Sequence, residues 1–243
     1  MSKRVEQKAA AKLVRQQIAA EDRRRKLIWT TIAVVLVALV AGGIGYGVWQ
    51  AQQPRDFRVP ANATAEQDGM TIPGTSGKAK VDIYLDYQCP ACKNLEEAIS
   101  PTVDQWIKDN KITLVYHPIT ILDRFSGGTK YSTRSAAAAG CASDGNKLYE
   151  FTKALFAQQP AENTRGLTDD QIISIGGTTG LIDPAFAACV RDGKYLGWAE
   201  KITDDASKRG LSSTPTMYVN GTKVDQNKPP LEELTRMVTE ASK

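Results

Sequence analysis

From Leu27 to Trp49 the chain reads LIWTTIAVVLVALVAGGIGYGVW, 23 residues without a charge. A helix of that length covers about 34 Å, enough for a hydrocarbon core of about 30 Å. Trp29 near one end and Tyr46 and Trp49 near the other fall where interfacial aromatics sit. Residues 27–49 are therefore read as a transmembrane helix. Residues 1–26 hold nine Lys or Arg against three acids, in a chain whose formal net charge is only +4. A basic run before a span marks the cytoplasmic side, which puts the 1–26 tail inside and everything beyond Trp49 outside. The basic tail is read as a topology signal that touches anionic lipid, not as a nucleic-acid site. The apolar run exceeds the about 7–15 residues of a signal-peptide core, and no small-x-small cleavage site precedes Gln50. A retained anchor is expected.

Residues 50–67 are polar, hold two prolines and show no periodicity, the pattern of an extended linker. A folded unit is expected over 68–243. Its first clear strand is KVDIYLDY, with Val81, Ile83 and Leu85 alternating against Asp82, Tyr84 and Asp86. Cys89-Pro90-Ala91-Cys92 follows and opens a helical stripe of Cys92, Leu95, Ile99, Val103 and Trp106. Pro101 inside that stripe predicts a kink or restart, with Ser100 as a cap. A second strand, KITLVYHPIT, comes next. Between about 129 and 209 strand patterns vanish and five helical segments replace them, one with a capping box at Thr168 and Gln171. The chain closes with a strand at TPTMYVNG, a short strand near Thr222 and a last helix.

A bare C-x-x-C is weak evidence, since zinc sites use it too. Here it sits at a strand-to-helix junction, where helix N–H groups and the macrodipole stabilise a thiolate. Cys89 at the helix start is the expected attacking thiol. Pro90 suits the first helical turn, where its missing N–H does no harm. Cys92, one turn in and on the apolar face, is the expected resolving thiol. A zinc site would need Cys141 and Cys189 as further ligands, but neither has a partner at metal-ligand spacing and the chain has a single histidine, His117. No metal and no cofactor are expected. Four cysteines on the exported side favour disulfides.

DIYLDYQCPACKNLEEA, followed much later by GLSSTPTMYVNG, resembles the DsbA-like branch of the thioredoxin superfamily, and most of all its membrane-anchored Gram-positive members. The resemblance covers 68–243. It implies an α/β thioredoxin-like fold with an inserted helical domain at about 129–209, preceded here by the single N-terminal transmembrane helix. By the same resemblance Cys89 matches the nucleophile, Cys92 its partner, Pro215 a cis-proline facing the motif and Thr214 the residue before it. A second disulfide can staple the insertion in such proteins, which points to Cys141 and Cys189. Bridged over 48 positions, they would contribute about 4 kcal/mol. Their alanine-rich surroundings, SAAAAGCA and AFAACV, suit a buried staple better than a redox relay.

Two positions depart from the best-known members. Pro90-Ala91 stands where DsbA has Pro-His, so no imidazole supports Cys89, and a potential less oxidising than about −120 mV is expected. Ile83, six before Cys89, stands where those proteins bury an acid. Asp86, three before Cys89, is a substitute proton acceptor for Cys92 or else a solvated acid at the strand end. His117 is read as structural. The function implied is an extracytoplasmic oxidoreductase that donates its Cys89–Cys92 disulfide to newly exported, cysteine-containing proteins. A membrane partner of the DsbB or vitamin-K-epoxide-reductase-like type would reoxidise it. The rivals are an external reductase or isomerase, and a redox-inert binding module on the same fold.

Overall fold

A computed structural model of the chain describes the backbone of residues 2–51 and 57–243, and the side chains of residues 23–47 and 57–243. Helix α1 (Ser2–Ala51) is continuous, so helix begins well before the apolar run. Its stretch Arg23–Gly47 is long and apolar enough to cross a membrane. Within it the Thr30 and Thr31 hydroxyls donate to the carbonyls of Lys26 and Leu27 one turn back, at 3.0 and 2.8 Å, which satisfies polar groups that lipid cannot. The side chains of the basic residues before Arg23, and of Trp49, lie outside the described residues, as do residues 52–56 of the expected linker.

The second unit is built on a five-stranded sheet of order β1-β3-β2-β4-β5. The strands are β1 (Met70–Thr71), β2 (Ala79–Leu85), β3 (Ile112–Pro118), β4 (Thr216–Val219) and β5 (Thr222–Lys223). β2 and β3 pair in parallel, with Tyr84 opposite His117, and β4 runs antiparallel to β2. A parallel pair needs a crossover, and α2 (Pro90–Lys108) supplies it. The β4–β5 hairpin turns at Asn220-Gly221, both with positive φ, the backbone that a tight right-twisted hairpin requires.

Val81, Ile83 and Leu85 share one buried cluster with Leu95, Ile99 and Val103 of α2 and with Leu234 and Val238 of α8 (Pro230–Ala241). Period-two alternation predicts Asp82, Tyr84 and Asp86 on the solvent side, yet all three are buried. The second face of β2 is covered too. Tyr84 packs with Ile119, Ala206 and Leu211 and stacks on His117 at 4.1 Å. His117 bonds Asp82 Oδ1 at 2.9 Å and Asp68 O at 2.7 Å, a structural place in the core. Gly69 lies so close that a Cβ there would meet the imidazole at 2.5 Å.

α2 does not restart at Pro101. It runs unbroken because Leu95 and Ile99 before the proline and Val103 and Trp106 after it bury one continuous face, while Pro101 itself faces solvent. Ser100, expected as a cap, instead donates to Glu96 Oε1 at 2.7 Å.

Between β3 and β4 lie α3 (Tyr131–Asp144), α4 (Leu148–Ala157), α5 (Asp169–Thr178), α6 (Pro184–Arg191) and α7 (Leu196–Lys208). α3 is buried along nearly its whole length, and its alanines let α4, α5, α6 and α7 all approach it. The Thr168–Gln171 capping box starts α5, and Asp183 caps α6 with Pro184 at its first turn. Cys141 of α3 and Cys189 of α6 are joined, with Cα atoms 5.9 Å apart. The end of the expected linker packs against this block. Pro60 is buried, Ala61 N–H donates to Asp144 Oδ1 at 3.0 Å, and Trp198 Nε1 donates to Gln67 O at 2.9 Å. Polar composition alone concealed that docking, because main-chain groups such as Ala61 N–H and Gln67 O are among its anchors.

Candidate active site

β2 ends at Leu85 and the chain turns through Asp86, Tyr87 and Gln88 into α2. Cys89 is the N-cap of α2, extended at φ −79° and ψ 117°, with Pro90 in the first turn. Its N–H donates to Asp86 O at 2.9 Å and closes the turn, while its carbonyl accepts from the N–H groups of Cys92 and Lys93 at 3.1 and 3.2 Å. Pro90 and Ala91 face solvent beside it.

Cys89 and Cys92 are both free thiols. The Cys92 thiol is the foremost support of a Cys89 thiolate. The Thr214 side chain and the N–H groups of Cys92 and Ala91 add to it, and together they outweigh burial and bring Cys89 down to about 6. Cys92, 2% exposed, is driven well up, first by burial and then by its bond to Cys89. One thiol ionises near neutral pH while its neighbour keeps its proton.

The Thr214–Pro215 peptide is cis and lies directly before β4. Cys89 Sγ is 3.5 Å from Thr214 O. A groove of about 310 Å³ runs alongside, lined by Leu95, Thr214, Pro215, Met217 and Gln226. The Gln226 side chain donates to Pro215 O at 2.7 Å. A larger cavity, about 790 Å³, lies in the insertion beside Cys141 and Cys189 and includes neither Cys89 nor Cys92 in its walls.

Asp86 is not the solvated alternative. It is fully buried, its Oδ1 accepting from Gln88 N–H and the Ser132 hydroxyl at 2.9 and 2.7 Å and its Oδ2 from Leu122 N–H at 3.0 Å. Burial pushes it up to about 7 against those three donors. Ile83 leaves the familiar strand position without an acid, and a different one is buried nearby. Glu96 bonds Tyr116, which faces Ile83 across β2 and β3, at 3.2 Å, and burial raises it as well. Its place four residues after Cys92, on the apolar stripe, was the signal that could have found it. Gln159 also belongs to the site, its side-chain amide bonded to the carbonyl of Cys89 at 2.9 Å. It stands in coil after α4, 70 residues from Cys89, and no motif announces it.

A thioredoxin family model matches residues 66–240. Over 196 residues the chain is 29% identical to the serine/threonine-protein kinase PknE of Mycobacterium tuberculosis, covering 73% of this chain and 34% of that protein. The chain thus spans about a third of the length of those curated relatives. Among solved structures it is similar to reduced DsbA of M. tuberculosis (28% identity, 74% of this chain, 95% of that one, TM-score 0.59). It is similar also to MdbA, a thiol-disulfide oxidoreductase from Actinomyces oris (25% identity, 77% and 92%, TM-score 0.62). With a sheet, a Cys-Pro-Ala-Cys helix start and a helical insertion in that order, the chain belongs to the thioredoxin family, as a DsbA-like member.

Proposed function

We propose that the protein is an extracytoplasmic thiol–disulfide oxidoreductase that donates a Cys89–Cys92 disulfide to exported proteins. The observation that carries this reading is the placement of the two thiols, Cys89 at the N-cap of α2 with its Sγ 3.5 Å from Thr214 O and Cys92 buried one turn in; their opposed acidity agrees with it. In the oxidised protein a substrate thiolate attacks Cys89 Sγ. The Cys89–Cys92 bond breaks, its electron pair leaves on Cys92, and Cys92 takes up a proton. A second substrate thiolate then attacks the substrate sulfur of the mixed disulfide and releases Cys89 as a thiolate. Two electrons have passed from substrate to protein. Stabilising the Cys89 thiolate makes it a good leaving group and favours the reduced protein, which drives the transfer in this direction.

Each remaining residue has a part in this reading. Pro90 and Ala91 face solvent beside a largely buried Cys89, and the backbone at Thr214 and Pro215 offers strand-like hydrogen bonds to an extended substrate. Asp86, poised near neutral pH, serves as proton acceptor for Cys92 when the reduced pair is reoxidised. Cys141–Cys189 holds the insertion as a structural bridge. α1 anchors the protein with its N-terminus in the cytoplasm, and a quinone-linked membrane partner of the DsbB or vitamin-K-epoxide-reductase-like type removes the two electrons. The identities to DsbA of M. tuberculosis and to MdbA support the reading.

The test uses the full chain in detergent, oxidised beforehand and mixed with a reduced dithiol peptide. Stoichiometric appearance of the peptide disulfide is expected, with none from Cys89→Ser. Undiminished transfer by Cys89→Ser would sink the proposal, and preferential reduction of peptide disulfides would reverse its direction.

A further inference from the structure

The four residues that lead into α2 are gripped from beyond β3 at every position. Asp86 bonds the Leu122 N–H and the Ser132 hydroxyl. The Tyr87 hydroxyl meets Thr152 Oγ1 at 2.9 Å, and Gln88 Nε2 donates to Phe125 O at 3.0 Å. These three grips act on side chains. The fourth acts on the main chain: the single side-chain NH₂ of Gln159 donates to Tyr87 O at 3.0 Å and to Cys89 O at 2.9 Å, using both its hydrogens.

Gln159 follows the C-cap of α4, and its own N–H is tied to Phe156 O at 3.1 Å, so its reach is set by the insertion. The oxygen it takes is the first acceptor of α2, already bonded to Cys92 and Lys93 N–H. A third donor on that oxygen, shared with the carbonyl two residues earlier, fixes the peptide planes that flank Gln88 and Cys89. Those planes decide where Cys89 Sγ lies relative to the N–H groups of Ala91 and Cys92. The amide hydrogens also bring partial positive charge to the helix start, with the same sign as the macrodipole.

We propose that Gln159 is a positioning residue for Cys89, through which the helical insertion sets the N-cap conformation and hence the reactivity of the exchanging thiol. The inference rests on the reading of Cys89 as that thiol. The insertion then does more than cover the sheet: it holds the reactive turn by two hydrogen bonds that no residue of the thioredoxin core provides. Thr152 supplies the contrast, because it anchors Tyr87 from α4, just before Gln159, without touching the main chain of Cys89.

The experiment measures the pH dependence of Cys89 alkylation in the reduced full chain in detergent, read by mass spectrometry, together with thermal melting. Gln159→Met keeps the length of the side chain and removes both donors. Its Cys89 midpoint is expected to rise by about half a pH unit, a roughly threefold loss of thiolate below the midpoint. Gln159→Glu sets oxygens against the two carbonyls and is expected to move further the same way. Thr152→Val is expected to melt earlier and to keep the wild-type midpoint. Wild-type midpoints in both Gln159 variants, or an equal rise in Thr152→Val, overturn the inference. An ordinary, unshifted acidity of Cys89 in the wild-type protein would instead sink the exchange reading, and this inference with it.

Discussion

The two cysteine pairs share a residue type and little else. Cys89 and Cys92 sit three residues apart at a helix start, with N–H groups, a neighbouring thiol and a solvent-facing Pro90-Ala91 around them. Cys141 and Cys189 lie 48 residues apart on α3 and α6, among alanines that pack helix against helix. At the first pair the surroundings separate the acidities of two thiols. At the second they bring two helices together across a disulfide. Cysteine chemistry here is decided by what surrounds the sulfur, not by the residue.

The sharpest way to break that contrast is to exchange the roles by mutation. Cys89→Ser is expected to abolish disulfide transfer, and the Cys141→Ala/Cys189→Ala double variant to retain it, as measured by peptide oxidation. The double variant should instead lose about 4 kcal/mol of stability in urea unfolding, the loop-entropy value for a 48-residue bridge. Equal loss of transfer in both would erase the distinction.

Smaller effects sharpen it through pH. Cys89 in the reduced protein is depressed to about 6, against about 8.5 for an unfolded thiol. Its contribution to stability is full above the unfolded value and is lost as pH falls through about 6. Reduced wild-type protein should therefore gain stability over Cys89→Ser as pH rises across that window. Asp86 works in the opposite sense. Its contribution is full below about 3.9, the unfolded value, and is lost as pH rises through about 7. The stability of wild type minus that of Asp86→Asn should thus decline from about pH 4 to pH 7 and level off above. A flat difference would mean that Asp86 is ionised at its ordinary value despite burial.

Much of this was legible in the chain itself. The apolar run, the strand leading to Cys-Pro-Ala-Cys, the Thr168 cap and the run of helices between two strand regions all rest on local rules that tertiary contacts reinforce. What stayed hidden depends on contacts distant in sequence. Asp86 reads as an exposed acid until the loop at Leu122 and helix α3 close over it. Pro101 reads as a kink or restart until packing on both sides carries α2 through it unbroken. Pro60 to Gln67 read as linker, because main-chain hydrogen bonds leave no trace in composition. Gln159 carries no motif, since its partners are carbonyls that every residue has.

The most direct test of the central claim is the reduction potential of the Cys89–Cys92 couple in the full chain, equilibrated against glutathione. A stabilised Cys89 thiolate is expected to place it well above about −200 mV, where client thiols reduce it. A value near the about −270 mV of thioredoxin would contradict the account, and would make the protein an external reductase with the same two cysteines.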